Sequence, residues 1–302
     1  MKKLIFVCLS IGFFSSCDHE AATSSEVFDP SFFITYEEGN IPLIISVPHG
    51  GDLKPNTIPD RTCNDAVNIS DAYTVELAQK IMQVFENNGQ KPYLVINKMH
   101  RSKMDANRNK SEATCGNTNA IAVWEVYHNH IEASLTAVNA KFNKGLFIDL
   151  HGHGNPKQRI ELGYLLYEDE LALPDESLNS PEVLAVSSIQ SLARQNKSGI
   201  SHADLLKGTF SLGSLLHDSG FPSVPSSTDP FPSATDPYFS GGYNTANYSS
   251  YSGGTIDGIQ VECNRIGIRD SESSLIAFSK VFTTALSDYL REHYFDPIPV
   301  SN

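Results

Sequence analysis

Residues 145–154 read GLFIDLHGHG, a mostly apolar run that ends directly in two histidines set between glycines. A short apolar run of this kind is typical of a buried strand. Residues 41–51, IPLIISVPHGG, repeat the arrangement with one histidine. Polar residues that follow the strands of an open α/β sheet gather at the carboxyl ends of those strands. The two stretches therefore predict a buried sheet with a functional site at one edge.

Apolar runs alternate with helical patterns along the rest of the chain. Strands are predicted at 41–47, 92–98, 145–152, 161–167 and 258–264, and helices at 71–89, 119–142, 181–195, 211–219 and 271–292. This alternation predicts a single α/β domain with a mixed, largely parallel sheet flanked by helices. Ser70 is a good N-cap for the helix at 71, and Gly89 is a good residue to follow its end.

The composition excludes several classes of protein. The 302 residues are 40% hydrophobic, which is enough for a buried core and argues against disorder. The chain has 35 Asp+Glu against 22 Lys+Arg, a net charge of -13, which argues against a nucleic-acid partner. Five cysteines are too few for a disulfide scaffold. Cys63 and Cys115 both lie in turn-rich stretches and are either paired in a disulfide or free.

The first residues have the pattern of an export signal. Two lysines precede an apolar run that gives way to Ser-Ser-Cys at 15–17, so residues 1–16 are predicted to be a signal peptide. Small residues before Cys17 resemble the lipobox of bacterial lipoproteins, and an ordinary secretory peptide is the alternative. We expect a tether at 17–30, a catalytic domain at 31–297, and a location in the bacterial cell envelope, on the periplasmic or surface side. Contact with the membrane would be only through lipid at Cys17.

Residues 220–255 are rich in Pro, Ser, Gly and Tyr and show neither helical nor strand periodicity. A loop of this length inside a compact domain is either functional or disordered. Its aromatic residues favour a substrate-facing loop over a linker.

Three polar residues at predicted strand ends have the chemistry of a metal-dependent hydrolase. His49 and His151, with one carboxylate, would supply three ligands of a catalytic zinc and leave a fourth position for water. Bound zinc lowers the pKa of that water to about 7. Glu262, at the end of the last strand, is the candidate for the proton shuttle.

Five motifs occur in a fixed order, namely SVPHGG, DANR, IDLHGHG, FSGGYNT and IQVE. Together they resemble the N-formylglutamate amidohydrolase family, and the resemblance covers residues 40–290. The fold of that family is similar to that of zinc carboxypeptidases and aspartoacylase-type deacylases. The resemblance implies a zinc-dependent amide hydrolase that acts on small N-acylated or carboxylate-bearing substrates.

The same resemblance assigns the zinc ligands. His49 and His151 match the two zinc-binding histidines. The carboxypeptidase pattern places the third ligand at Asp52, whereas the amidohydrolase pattern places it at Asp71. We favour Asp71, because a residue at the start of a helix is held rigidly toward the strand ends.

Other positions match the part of the family site that binds substrate. Asn107 and Arg108 match an Asn-Arg pair that holds a substrate carboxylate, for which the planar guanidinium is well suited. Arg101 either assists Arg108 or pairs with an acidic residue, and Tyr243 either contacts substrate or packs. Glu262 matches the general base.

Neighbouring polar residues are expected to support the site. Asp149 lies two residues before His151 and is placed to orient an imidazole, whereas His153 is expected to hydrogen-bond nearby and not to bind metal. Arg159 and Glu161 either form an ion pair or line the pocket.

The sequence thus predicts a zinc-dependent hydrolase of an N-acyl amino acid or a small peptide-like substrate that bears a carboxylate. The alternatives are a metallocarboxypeptidase, a cell-wall peptide amidase, or a carboxylate-binding lipoprotein without catalysis.

Overall fold

The computed structural model describes residues 28–301, so the predicted signal peptide, Cys17 and most of the predicted tether lie outside the described residues. The strands are β1 Ile34–Glu37, β2 Leu43–Val47, β3 Tyr93–Asn97, β4 Gly145–His153, β5 Ile160–Gly163, β6 Ser223–Val224 and β7 Ile256–Asn264. The longer helices are α1 Thr74–Asn87, α3 Thr118–Phe142 and α11 Glu272–His293. The shorter ones are α2 Lys110–Thr114, α4 Glu168–Leu171, α5 Asp175–Leu178, α6 Pro181–Val186, α7 Gln190–Gln195, α8 His202–Lys207, α9 Leu212–Asp218 and α10 Tyr243–Asn247.

The strands form one seven-stranded sheet in the order β1-β3-β2-β4-β7-β5-β6. The central strands β3, β2, β4 and β7 are parallel, whereas β1 pairs antiparallel with β3 and β5 pairs antiparallel with β7. The predicted mixed, largely parallel sheet is confirmed. Because the central strands are parallel, their carboxyl ends lie at one edge of the sheet.

Helices cover both faces of the sheet, which explains why the central strands are mostly apolar on both sides. On one face, Ile45 and Ile148 belong to a core cluster with residues of α1 and α11, including Phe278. On the other face, Ile44 and Phe147 belong to a second cluster with residues of α3. Successive residues of a strand point to opposite faces, so each central strand supplies both cores.

One predicted strand is shorter in the structure, and one predicted helix is divided. The strand predicted at 161–167 is shorter, because β5 ends at Gly163. The helix predicted at 181–195 is two helices, α6 and α7. Between them, the backbone N–H of Ser188 donates to the Tyr164 carbonyl, and its hydroxyl donates to the Gly258 carbonyl. These bonds to other parts of the fold take the place of the bonds that a continuous helix would make.

The first long helix begins three residues later than predicted. Ser70 does not cap it, since α1 begins at Thr74. The reason is a turn ahead of the helix, in which the Asp71 N–H donates to the His49 carbonyl and the Thr74 hydroxyl donates to the Asp71 carbonyl. Gly89 follows the helix end in the left-handed conformation, as predicted.

The segment 220–255 is folded against the strand ends. Arg159, whose side chain is buried, forms ion pairs with Asp229 at 2.8 Å and Asp236 at 3.2 Å. Among the described residues Arg159 therefore pairs with these two aspartates and not with Glu161, the partner that the sequence offered. The segment also contains β6 and α10.

One disulfide crosslinks the domain, and residues near both ends of the described range pack against it. Cys63 and Cys115 form a disulfide, which settles the alternative left open by the sequence. Phe28 stacks on Phe33, and the Ser301 N–H donates to the Asn40 carbonyl. The packed unit therefore extends beyond the predicted boundaries of 31–297. Within residues 28–301, no helix combines the length and apolar character that a membrane crossing needs.

Candidate metal site and catalytic site

The carboxyl edge of the parallel strands brings the predicted site residues together. His49 follows β2 by two residues, and His151 lies near the end of β4. Glu262 lies directly opposite His151 in the register of β4 and β7. The side chains of all three are buried at 5% exposure or less, so they form an internal cluster and not a surface group.

The two histidines lie close to a third buried side chain, that of Asp71. Ligand atoms of His49, Asp71 and His151 all lie within 4.8 Å of one another. The Asp71 Oδ2 atom is 3.0 Å from His151 Nδ1 and 3.5 Å from His49 Nδ1. Asp52 is exposed and lies outside this cluster. Of the two carboxylates that the sequence offers, Asp71 is the one beside the histidines.

Each histidine is oriented by a second carboxylate. The Nε2 atom of His49 is 2.6 Å from Asp105 Oδ1, and Nε2 of His151 is 2.9 Å from Asp149 Oδ2. Because a carboxylate only accepts, each imidazole donates through Nε2. The Nδ1 atoms of both rings face Asp71; they donate to it when the rings are protonated and are free to bind a cation when the rings are neutral. Asp149 lies where the sequence predicted an orienting partner.

The cluster fits a bound divalent cation. The Nδ1 atom of His49 is buried and has no hydrogen-bond partner among the described residues. A buried polar atom without a partner is costly, and a metal ion would supply one. Burial alone would raise the pKa of Asp71, but the two imidazoles hold it well below its ordinary value. Two imidazole nitrogens and a carboxylate oxygen are a donor set that zinc accepts in catalytic sites.

Glu262 lies beside this cluster. Its Oε1 atom is 3.9 Å from His151 Nδ1 and accepts a hydrogen bond of 3.0 Å from the Gln260 amide. Burial raises the pKa of Glu262 to about 8; His151 opposes this rise, and the nearby carboxylates, Asp71 first, add to it. Such an environment is typical of a carboxyl group that exchanges a proton.

The two arginines of the site differ in their partners. Arg101 is held by Asp105, with its Nε atom 2.9 Å from Oδ2, so it pairs with an acidic residue. Arg108 lines the same cavity, and none of the carboxylates within residues 28–301 lies within 4.0 Å of it. The guanidinium of Arg108 is therefore the one with its charge available to a ligand.

Asn107 and Tyr243 were both predicted to bind substrate, and the structure places them differently. Asn107 lines the cavity, whereas Tyr243 does not. The amide of Asn107 lies 3.1 Å from His151 Nε2 and accepts a 2.8 Å bond from the Asn244 N–H, so it lines the cavity with its polar atoms engaged. Tyr243 is outside the cavity lining. Its ring packs near Trp124, at 6.3 Å between centroids, because α10 lies against α3 at that point. Of the two alternatives for Tyr243, this position fits packing, and a contact with substrate stays a prediction.

Several supporting residues were not predicted as part of the site. Asp105 is buried and contacts both His49 and Arg101. Ser46 donates a 2.6 Å bond to Asp149, and it is the one polar residue in the apolar strand β2, which is the signal that could have revealed it. His153 bonds to the Arg159 carbonyl and lies outside the metal cluster, as predicted.

The cavity over the cluster has a volume of about 180 Å³. Its wall includes part of the segment 220–255, namely Phe239, Gly241 and Gly242. The interpretation of this segment as facing the site agrees with that position. Glu161 holds this segment in position, because its carboxylate accepts a 3.1 Å hydrogen bond from the Phe239 N–H.

The fold and the site together define the class of protein: a single α/β domain with a mixed, mostly parallel seven-stranded sheet and a buried His-Asp-His cluster at the carboxyl ends of its parallel strands. Comparison with solved structures agrees with that class. The chain superposes on the Agrobacterium tumefaciens gene product Atu2144 with a TM-score of 0.52 and 12% identity, covering 85% of this chain and 94% of that one.

It is also similar to the N-formylglutamate amidohydrolase of Ralstonia eutropha JMP134, with a TM-score of 0.49, 12% identity, and 84% and 95% of the two chains covered. The succinylglutamate desuccinylase of Chromobacterium violaceum matches with a TM-score of 0.38 and 12% identity, over 89% of this chain and 70% of that one. No protein-family model and no curated protein matches the chain. The likeness to Atu2144, at 12% identity, supports the fold alone.

Proposed function

We propose that the protein is a zinc-dependent hydrolase that cleaves an amide bond in an N-acyl amino acid or small peptide-like substrate bearing a carboxylate. One observation carries the proposal. A single cavity combines a His49–Asp71–His151 cluster suited to a cation, a buried Glu262, and the unpaired guanidinium of Arg108.

The roles follow from chemistry and position. A zinc ion held by His49, Asp71 and His151 would polarise the amide carbonyl and make water a better nucleophile. Glu262 takes a proton from the attacking water and returns it to the departing amine nitrogen. Arg108 binds the substrate carboxylate and fixes the amide relative to Glu262. Asp105 and Asp149 hold the imidazoles in the tautomer that presents Nδ1.

The alternatives use the same cavity in different ways. A metallocarboxypeptidase or a cell-wall peptide amidase would share every role given above and differ only in how far the substrate extends. A binding protein without turnover would not need a buried carboxyl group beside the metal cluster, and Glu262 is such a group. This observation favours an enzyme.

We further propose that the mature protein is anchored in the cell envelope through lipid at Cys17. The disulfide between Cys63 and Cys115 supports export, since such bonds persist in oxidising compartments.

The test is a hydrolysis panel with the purified, zinc-supplemented chain. It contains formylglutamate, acetylaspartate, small peptides and muropeptide fragments. We expect turnover of at least one compound, and we expect Glu262→Gln to lower kcat by about 10²–10⁴-fold. Glu272→Gln is the matched control, because Glu272 is exposed and pairs only with Lys80. Full activity of Glu262→Gln, or no turnover of any compound, would contradict the proposal.

A further inference from the structure

A second cleft continues from the cavity of the candidate site. It has a volume of about 280 Å³ and shares Asp71, Arg101, Gly152 and Phe239 with that cavity. The site cavity alone, at about 180 Å³, is smaller than the roughly 300–1,000 Å³ that is typical of pockets for drug-sized ligands. The two spaces together fall within that range. The cavity beside His49, Asp71 and His151 therefore opens into a further space that a ligand can occupy.

Exposed apolar side chains form the two lips of this cleft. Ile69 is 79% exposed and Phe239 is 44% exposed. Large apolar side chains left in contact with water next to a site indicate a surface that is covered by a ligand. Isolated exposed apolar residues are common, but these two line one cleft and both lie beside the metal cluster.

The backbone on both sides of the cleft is fixed in place. The Ile69 carbonyl accepts a hydrogen bond of 3.3 Å from Arg101, which is itself held by Asp105. The Phe239 N–H donates to the buried Glu161 carboxylate. Each lip is thus anchored to a charged side chain of the site region. A cleft prepared in this way binds an apolar group without first having to order its own walls.

The wall of the cleft also includes a positive charge. Arg265 is exposed and lines the cleft, and its guanidinium carbon lies over the Tyr73 ring, 5.8 Å from the ring centre. Arg108 lines the site cavity and does not line this cleft. Each of the two connected spaces thus has an arginine that the other does not share.

We propose that this cleft is a subsite for an extended, apolar acyl or peptidyl half of the substrate, on the side of the scissile bond away from the carboxylate bound by Arg108. The inference rests on the proposed function and makes its substrate class more specific. The occupant is a peptide-like chain with an apolar side chain between Ile69 and Phe239, and not a formyl group. A negative group further along the same chain would meet Arg265.

The test compares acetyl-Glu with acetyl-Leu-Glu and acetyl-Leu-Leu-Glu, in which glutamate supplies a constant carboxylate for Arg108. We expect kcat/KM for acetyl-Leu-Glu to exceed that for acetyl-Glu by about tenfold or more, as burial of one leucine side chain allows. In Ile69→Ser that ratio should fall about tenfold. Phe231→Ser is the control, because Phe231 is an exposed apolar residue of the segment 220–255, about as exposed as Phe239, but does not line the cleft. Equal kcat/KM values for acetyl-Leu-Glu and acetyl-Glu would overturn the inference. It would also be overturned if Ile69→Ser left the ratio of these two values unchanged.

Binding measurements separate this inference from the proposed function. If none of the three compounds is hydrolysed, the proposed function fails, and calorimetric titration with the same compounds still tests the cleft. Tighter binding of acetyl-Leu-Glu than of acetyl-Glu, reduced in Ile69→Ser but not in Phe231→Ser, supports the subsite. Equal affinity for the two compounds overturns it.

Discussion

Replacing Asp105 by asparagine is expected to weaken zinc binding without unfolding the protein. Asp105 is the acceptor for His49 Nε2 at 2.6 Å and also pairs with Arg101 at 2.9 Å. The side chain of Asp105 is 1% exposed, so water cannot replace these contacts. An asparagine of the same shape has only one accepting oxygen and presents N–H groups on the other side. The variant loses the charge that holds the His49 ring in the tautomer with Nδ1 free.

The expected loss of zinc affinity follows from the contact between Asp105 and His49, one of the proposed zinc ligands. Loss of such a supporting carboxylate typically costs 10–100-fold in metal affinity, which is about 1.4–2.7 kcal/mol. We expect the upper part of this range, because two effects act in the same direction. The His49 ring is no longer fixed, and Arg101 loses its partner while its Nη1 atom is only 4.0 Å from Asp71 Oδ1. A guanidinium free to approach Asp71 competes with the cation for that carboxylate.

Competition with a chromophoric zinc chelator measures this affinity directly. Asp60→Asn is the matched control, because Asp60 is exposed and pairs with Lys103, which does not line the site cavity. Thermal unfolding of the metal-free proteins establishes that each variant is folded. If folded Asp105→Asn binds zinc as tightly as the unaltered chain, then Asp105 does not act through His49 and the reasoning is refuted.

Two further predictions concern the cavity wall and a buried acid. In Gly242→Ala the new Cβ would lie 2.5 Å from the Asn107 amide nitrogen, so hydrolysis should fall at least about tenfold, whereas Gly154→Ala, which meets nothing within 4 Å and lines only the second cleft, should keep its activity toward acetyl-Glu. Burial raises the pKa of Asp257 to about 6, with hydrogen bonds from Ser250 and others opposing the rise. The folded state therefore binds more protons than the unfolded state between pH 4 and 6, and the contribution of Asp257 to stability falls by roughly 3 kcal/mol as pH rises through that window. Urea unfolding of the unaltered chain and of Asp257→Asn at pH 4 and pH 7 checks this; parallel changes in the two proteins would contradict it.

The fold was predictable where local pattern and burial agree. The strands around 41–47 and 145–152 are continuous apolar runs, because helices cover both faces of the sheet at those positions. The break between α6 and α7 was not predictable, since it depends on hydrogen bonds from Ser188 to residues distant in sequence. The pattern around 181–195 is helical on both sides of the break and contains no sign of those partners.

Site residues could be predicted from the sequence where their place at the end of a strand is enough to bring them together. His49, His151 and Glu262 follow or end buried strands, and parallel strands bring such residues to one edge. The choice between Asp52 and Asp71 depended on a turn whose bonds form only in the folded chain.

Two other features of the site could not be predicted for the same physical reason. The sequence left Tyr243 open between substrate contact and packing, and the path of the segment places its ring against α3. Asp105 had no assigned role, because its contact with His49 crosses from the residues after β3 to the residues after β2. Contacts of this kind follow from the order of strands in the sheet, which the sequence pattern does not specify.

The central claim is that His49, Asp71 and His151 hold a zinc ion. Metal analysis of the purified chain, with Asp71→Asn and Asp52→Asn measured beside it, tests this claim most directly. We expect one zinc per chain, loss of most of that zinc in Asp71→Asn, and full retention in Asp52→Asn, because Asp52 is exposed and outside the cluster. A folded chain without stoichiometric zinc under zinc-replete conditions, or equal zinc content in the two variants, would contradict the account.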